Sequence, residues 1–147
     1  MKLVGIVEKN YYVYLDNKKV IVRFETAPYS ISIDNLKYYP RLSEETYCFT
    51  GDIILNGECV GNCSNSGRGG CSDCYLQNDL LKEINEHIST IEDYCFPKTK
   101  LNIYDVIDDI VNMIIVFKDN KANSTQKLND IINDFNKVAN KYRQMFS

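Results

Sequence analysis

At Asn78 the spacing of apolar residues changes from alternation to a three-and-four repeat, and that switch confines the chain to folds in which strands come first and helices last. Before it, Lys2–Glu8, Tyr11–Leu15 and Lys19–Glu25 are rich in Val, Ile, Tyr and Phe. They are separated by Lys9-Asn10 and Asp16-Asn17-Lys18, so three short antiparallel strands are expected. After the switch, Leu80, Leu81, Ile84, Ile88, Ile91 and Cys95 mark one face of a helix over Asp79–Tyr94, which must end before Pro97. Asn102 is placed to cap a second helix carrying Ile103, Val106, Ile107, Ile110, Val111, Ile114 and Phe117, apolar enough to be the central buried helix. A third runs through Leu128, Ile131, Ile132, Phe135, Val138, Ala139, Tyr142 and Met145, with Asn123 and Gln126 placed as a weak capping box. The short link predicts that helices two and three form an antiparallel hairpin. The expectation is a single α+β domain over 1–147, mainly β in 1–77 and mainly α in 78–147, with the helices on one face of an antiparallel sheet.

Thr26–Glu45 contains Pro28 and Pro40 and has no sustained period, so it reads as an irregular connection with a short strand at Ser30–Ile33. Its Tyr29, Tyr38 and Tyr39, together with Arg41, are candidate partner-binding anchors, because Tyr and Arg are enriched at interfaces.

Residues 47–75 hold five of the six cysteines and most of the glycines, and they support two incompatible readings. Cys59, Cys63, Cys71 and Cys74 supply the four soft ligands of a tetrahedral zinc site, and Cys71-Ser-Asp-Cys74 has knuckle spacing. Thiolates sharing one zinc lie roughly 4 Å apart, whereas residues four apart on a strand are separated by about 13 Å. The competing reading is a β-hairpin. Asn56-Gly57 is a strong two-residue turn signal between Tyr47–Leu55 and Glu58–Cys63. It would pair Leu55 with Glu58, Ile53 with Val60, Gly51 with Asn62 and Phe49 with Ser64. Tyr47, Phe49, Ile53, Leu55 and Val60 would then share the core face, and Cys48, Thr50, Asp52, Cys59 and Cys63 the opposite one. The hairpin is the favoured reading and zinc the alternative.

The stretch Ser64-Asn65-Ser66-Gly67-Arg68-Gly69-Gly70 lacks the Lys-Ser/Thr ending of a P-loop. Its glycines suit a tight turn, or a nest of backbone N–H groups that binds an anion beside Arg68. The order Phe49, Ile53, Asn56-Gly57, Val60-Gly61 and then Asn65-Ser66-Gly67-Arg68-Gly69-Gly70 resembles a hairpin-and-turn pattern of small bacteriophage and mobile-element proteins. The resemblance covers about a fifth of the chain. It implies a phage or mobile-element origin and a structural role for Asn56, Gly57, Gly67, Gly69 and Gly70, and it brings no activity with it.

A net charge of -3, spread evenly over both halves, provides no basic field for a phosphate backbone, so nucleic-acid binding is disfavoured. Leu3–Val7 is too short for a signal-peptide core and Met113–Phe117 too short for a membrane span, so a cytoplasmic protein with reduced cysteines is expected. The abundance of Asn, Lys, Ile and Tyr suggests AT-rich coding, as in a low-GC bacterium or its phages. His87 is the sole histidine and sits on the first helix, where a half-exposed surface role is expected. Asp105, Asp108 and Asp109 could hold a hard cation but also fit a solvated helix stripe. No catalytic motif stands out. The functional expectation is therefore a non-enzymatic binding protein that occludes a host protein, most plausibly of a bacterial defence system. The alternatives are a nucleotide-sequestering sponge using Ser64–Gly70, and a zinc-stabilised interaction module. The exposed faces of the C-terminal helices could also pair with another copy.

Overall fold

The structure is a computed structural model that describes residues 1–91 and 100–146. Seven antiparallel strands lie in the sheet in chain order: β1 (Lys2–Val7), β2 (Tyr11–Asp16), β3 (Lys19–Thr26), β4 (Tyr29–Tyr38), β5 (Cys48–Leu55), β6 (Glu58–Ser66) and β7 (Asp73–Tyr75). Three helices follow, α1 (Asn78–Ile88), α2 (Ile103–Asp119) and α3 (Thr125–Phe146), completing the expected α+β order. The turns form where short polar residues or glycine tolerate the left-handed region. Asn17 (φ 55°) closes β2 onto β3, and Asn56 (φ 50°) with Gly57 (φ 87°) makes the primed turn between β5 and β6.

Two features of the sheet depart from the sequence reading. Thr26–Glu45 is not mainly irregular, because β4 spans ten residues at the centre of the sheet. Its alternation is interrupted by a bulge. Asp34 faces Asp52 and Lys37 faces Thr50, with Asn35 at φ 51° taking up the extra residue and donating to Asp52 Oδ2 at 2.9 Å. The second departure lies in the hairpin. Leu55 faces Glu58 and Ile54 faces Cys59, as a two-residue loop requires, but Ile53 faces Gly61, which leaves Val60 as the extra residue. Beyond that bulge Gly51 pairs with Cys63 and Phe49 with Asn65. One added residue exchanges the two faces of a strand, so Cys63 and Asn65 enter the core instead of facing away from it.

The core lies between one face of the sheet and the helices. Val7, Tyr11, Val13, Val22, Phe24, Ile31, Phe49 and Ile53 share one core with α2, which buries Ile103, Val106, Ile107, Ile110, Val111, Met113, Ile114, Ile115 and Phe117. Each fully buried large aliphatic side chain contributes roughly 1.5–3 kcal/mol. Docking of α2 therefore dominates the packing. The expected cap is present, with Asn102 accepting from Asp105 N at 2.9 Å. The cap of α3 is Ser124, which accepts from Lys127 N at 3.4 Å, and not the Asn123–Gln126 box. Helix α3 packs on β1, where Ile132 approaches Gly5, and meets α2 through an edge-on Phe117–Phe135 contact at 6.0 Å. Helix α1 stops short of the expected end near Tyr94: it closes at Ile88 with Ser89 as its C-cap, the Ser89 N–H reaching back to Asn85 O, while the face position of Cys95 falls outside the described residues. Among the described residues no helix is long and apolar enough to cross a membrane.

Candidate functional site

A cleft of about 570 Å³ opens where β4, β5 and β6 meet the loop 39–47 and the middle of α2. The loop is built from short-range polar contacts. Tyr39 N donates to Cys48 O at 2.9 Å, and Ser43 Oγ donates to Tyr39 O at 2.9 Å while accepting from Cys48 N at 2.8 Å. Next to it the N–H groups of Glu44, Glu45 and Thr46 converge on Gly67 O at 2.9, 2.9 and 3.4 Å. This is a backbone nest of the kind that holds anions, here filled by a carbonyl of the same chain.

Asn65 organises the floor from a position 8% exposed. Its Oδ1 accepts from Gly67 N at 2.8 Å, an Asx turn, and from Thr46 Oγ1 at 2.7 Å. Its Nδ2 donates to Gly70 O at 3.4 Å and Ser72 Oγ at 3.2 Å. Ser72 Oγ in turn donates to Asp108 Oδ1 on α2. The glycines let these segments approach. A Cβ at Gly67, which has φ 84°, would sit 2.2 Å from Leu42 O.

Acidic groups prevail on the lining. Glu44, Glu45 and Asp108 are its charged side chains, and Tyr38, Tyr47 and Phe49 form its aromatic wall. Burial raises the Asp108 carboxyl above the ordinary aspartate range, partly offset by the Ser72 hydrogen bonds. Burial likewise raises the Tyr38 phenol, with Asp119 and Tyr47 adding to it. Cys63 and Cys74 face one another across β6 and β7, and burial pushes each up to about 12, with Asp108 adding to both. They are thiols at neutral pH. A carboxylate-lined pocket with aromatic walls suits a cationic group such as a guanidinium or ammonium.

The residues singled out from sequence are dispersed. In the stretch Ser64–Gly70, Asn65 and Gly67 are buried, Ser64 and Gly69 half-buried, and Ser66, Arg68 and Gly70 exposed. Two of the N–H groups that the alternative anion-nest reading would use are engaged within the chain. Gly67 N–H goes to Asn65 and Gly69 N–H to Thr46 Oγ1 at 3.3 Å, so the loop contributes the acceptor to the nest at Glu44–Thr46. Cys59 and Cys71 are exposed, Cys63 buried and Cys74 half-buried; among the described residues no group of three or more His, Cys, Asp or Glu side chains is placed to hold a metal. Tyr29 is separated from the other anchors by the length of β4, roughly 30 Å at strand rise. Its hydroxyl donates to Glu83 at 3.0 Å and its ring meets His87 edge-on. Tyr38 is a cleft wall set against Tyr47, while Tyr39 and Arg41 are exposed on the rim. His87 is half-buried beside Thr26 Oγ1 at 3.3 Å. Asp105, Asp108 and Asp109 do not converge: Asp105 N meets the Asn102 cap, Asp108 meets Ser72, and Asp109 accepts from Tyr11 Oη at 2.5 Å.

Sequence reasoning missed Glu44, Glu45, Thr46, Ser72 and Asn112 at this cleft. The one available signal was Asn65-x-Gly67, the Asx-turn pattern that commits the Asn65 side chain locally. No protein-family model, curated protein or solved structure matches the chain.

Proposed function

We propose that the chain is a non-enzymatic binding protein that acts by occluding a partner protein with the rim of this cleft. The observation that carries the reading is the 3-10 turn Pro40–Leu42, which holds Tyr39 (40% exposed) and Leu42 (59% exposed) in the solvent beside Arg41. Large apolar groups held outward on a braced turn cost solvation in the free protein and match the anchors of an interface. The acidic cleft behind them would receive a basic side chain of the partner. The hairpin-and-turn resemblance to phage and mobile-element proteins makes a host protein, in particular a bacterial defence component in the host cytoplasm, the proposed target class.

Nucleotide sequestration has less support, because the N–H groups of Gly67 and Gly69 are directed to Asn65 and Thr46. The zinc-stabilised module has less still, since its four cysteines are not gathered. The occlusion reading predicts saturation near one-to-one when the chain is titrated against a target recovered from host lysate. Tyr39→Ala with Leu42→Ala should weaken that binding by about tenfold or more at unchanged Tm, and Tyr29→Ala should leave it intact. Inactivation of a large excess of target would show turnover and replace the proposal with an enzyme.

A further inference from the structure

A second cleft, of about 490 Å³, lies toward the C-terminal end of α2 and shares no lining residue with the first. It exists because the sheet parts. Strands β3 and β4 are in register over Phe24–Thr26 against Tyr29–Ile31, while the register does not continue between Lys19–Arg23 and Ser32–Tyr38. The β4 bulge at Asn35 lies in that separated length. Val20, Ile33 and Leu36 from the parted strands, with Ile114 and Phe117 from α2, give the cleft an apolar lining.

Four ammonium groups surround that lining: Lys18 and Lys19 from the β2–β3 hairpin, Lys118 from the last turn of α2, and Lys121 from the turn after it. The one carboxylate among the lining residues is Asp34, engaged by Lys19 at 3.7 Å. Among the described residues Lys18, Lys118 and Lys121 have no ion pair. The carbonyl end of α2 explains lysines on its own last turn. It does not explain the two that face it from a hairpin distant in sequence. On a chain of net charge -3, this concentration of positive charge at an apolar opening calls for a ligand with an anionic head and an apolar body.

We propose that the parted β3–β4 cleft binds a small anionic amphipath, a carboxylate or phosphate head held by Lys18, Lys118 and Lys121 with its aliphatic tail against Ile33, Leu36 and Phe117. The site is separate from the occlusion surface and stands or falls independently of it. Dodecanoate and dodecyl phosphate, each below its micelle-forming concentration, are the two probes, followed by calorimetry on the full chain. At least one should bind saturably near one-to-one, and comparing them identifies the preferred head. The exposed double variant Lys18→Ala, Lys121→Ala should fold normally and bind about tenfold more weakly, with added salt weakening the wild type more than the variant. Dodecyl maltoside, with an uncharged sugar head, and cationic dodecyltrimethylammonium should bind much less well than the anionic probes. Equal binding of dodecyl maltoside, unchanged affinity in the double variant, or no saturable binding of either anionic probe would each overturn the assignment.

Discussion

The amide of Asn65 ties the β6–β7 connection to the loop before β5, since its two polar atoms serve Gly67, Gly70 and Ser72 on the one and Thr46 on the other. Asn65→Ala leaves those groups without that partner at a buried position, and urea denaturation should register a loss of about 3 kcal/mol. A loss under about 1 kcal/mol would mean that water replaces the amide. Gly67 and Gly70 separate two causes of strain, because their φ values, 84° and 85°, are nearly equal. A Cβ at Gly70 meets nothing within 4 Å, whereas one at Gly67 meets Leu42 O at 2.2 Å. Gly70→Ala should therefore cost about 1–2 kcal/mol, the left-handed penalty alone, and Gly67→Ala distinctly more in the same assay. Asp108 supplies a pH signature. Its folded carboxyl titrates above the unfolded one, so between those two values the folded state binds more protons and stability falls as pH rises. The contribution is fully present below the ordinary aspartate range and lost above the raised value. Asp108→Asn, which still accepts from Ser72, should remove that acid-side slope in melts recorded across the carboxylate range, while an unchanged slope would assign it to other groups.

Among the elements, β6 carries the most consequential irregularity, because its bulge at Val60 decides which cysteines enter the core. Thiol labelling reads this directly: Cys59 and Cys71 should be modified in the native protein, and Cys63 only when it unfolds. Simultaneous labelling of Cys59 and Cys63 would restore the unbulged register. Edge strand β1 is guarded by a side chain, with Asn136 of α3 accepting from Glu8 N and donating to Ile6 O, both at 3.1 Å. That amide stands where a neighbouring strand would pair. Asn136→Ala should cost about 1 kcal/mol in thermal melts and add concentration-dependent association by light scattering.

For the whole molecule, sheet and helices share one core through α2, so near-UV and far-UV dichroism should report coincident unfolding transitions. Separate transitions would show that the β and helical parts fold independently. Much of this architecture was legible in the sequence. The primed Asn56-Gly57 turn, the first three strands, the Asn102 cap and the buried character of α2 all arise from preferences that act within a few residues of the chain. The four-cysteine cluster and the tyrosine-rich connection were misleading, since composition cannot place residues on faces. Strand β4 was legible only over Ser30–Ile33, because its alternation breaks at Asn35 and a bulge reads locally as the end of a strand. The face of Cys63 and Asn65, the filling of the Glu44–Thr46 nest by Gly67, and the parting of β3 from β4 were decided by tertiary structure. Each results from competition among pairings between distant residues, in which one added residue inverts a face or opens a cleft, and no window of sequence contains both partners.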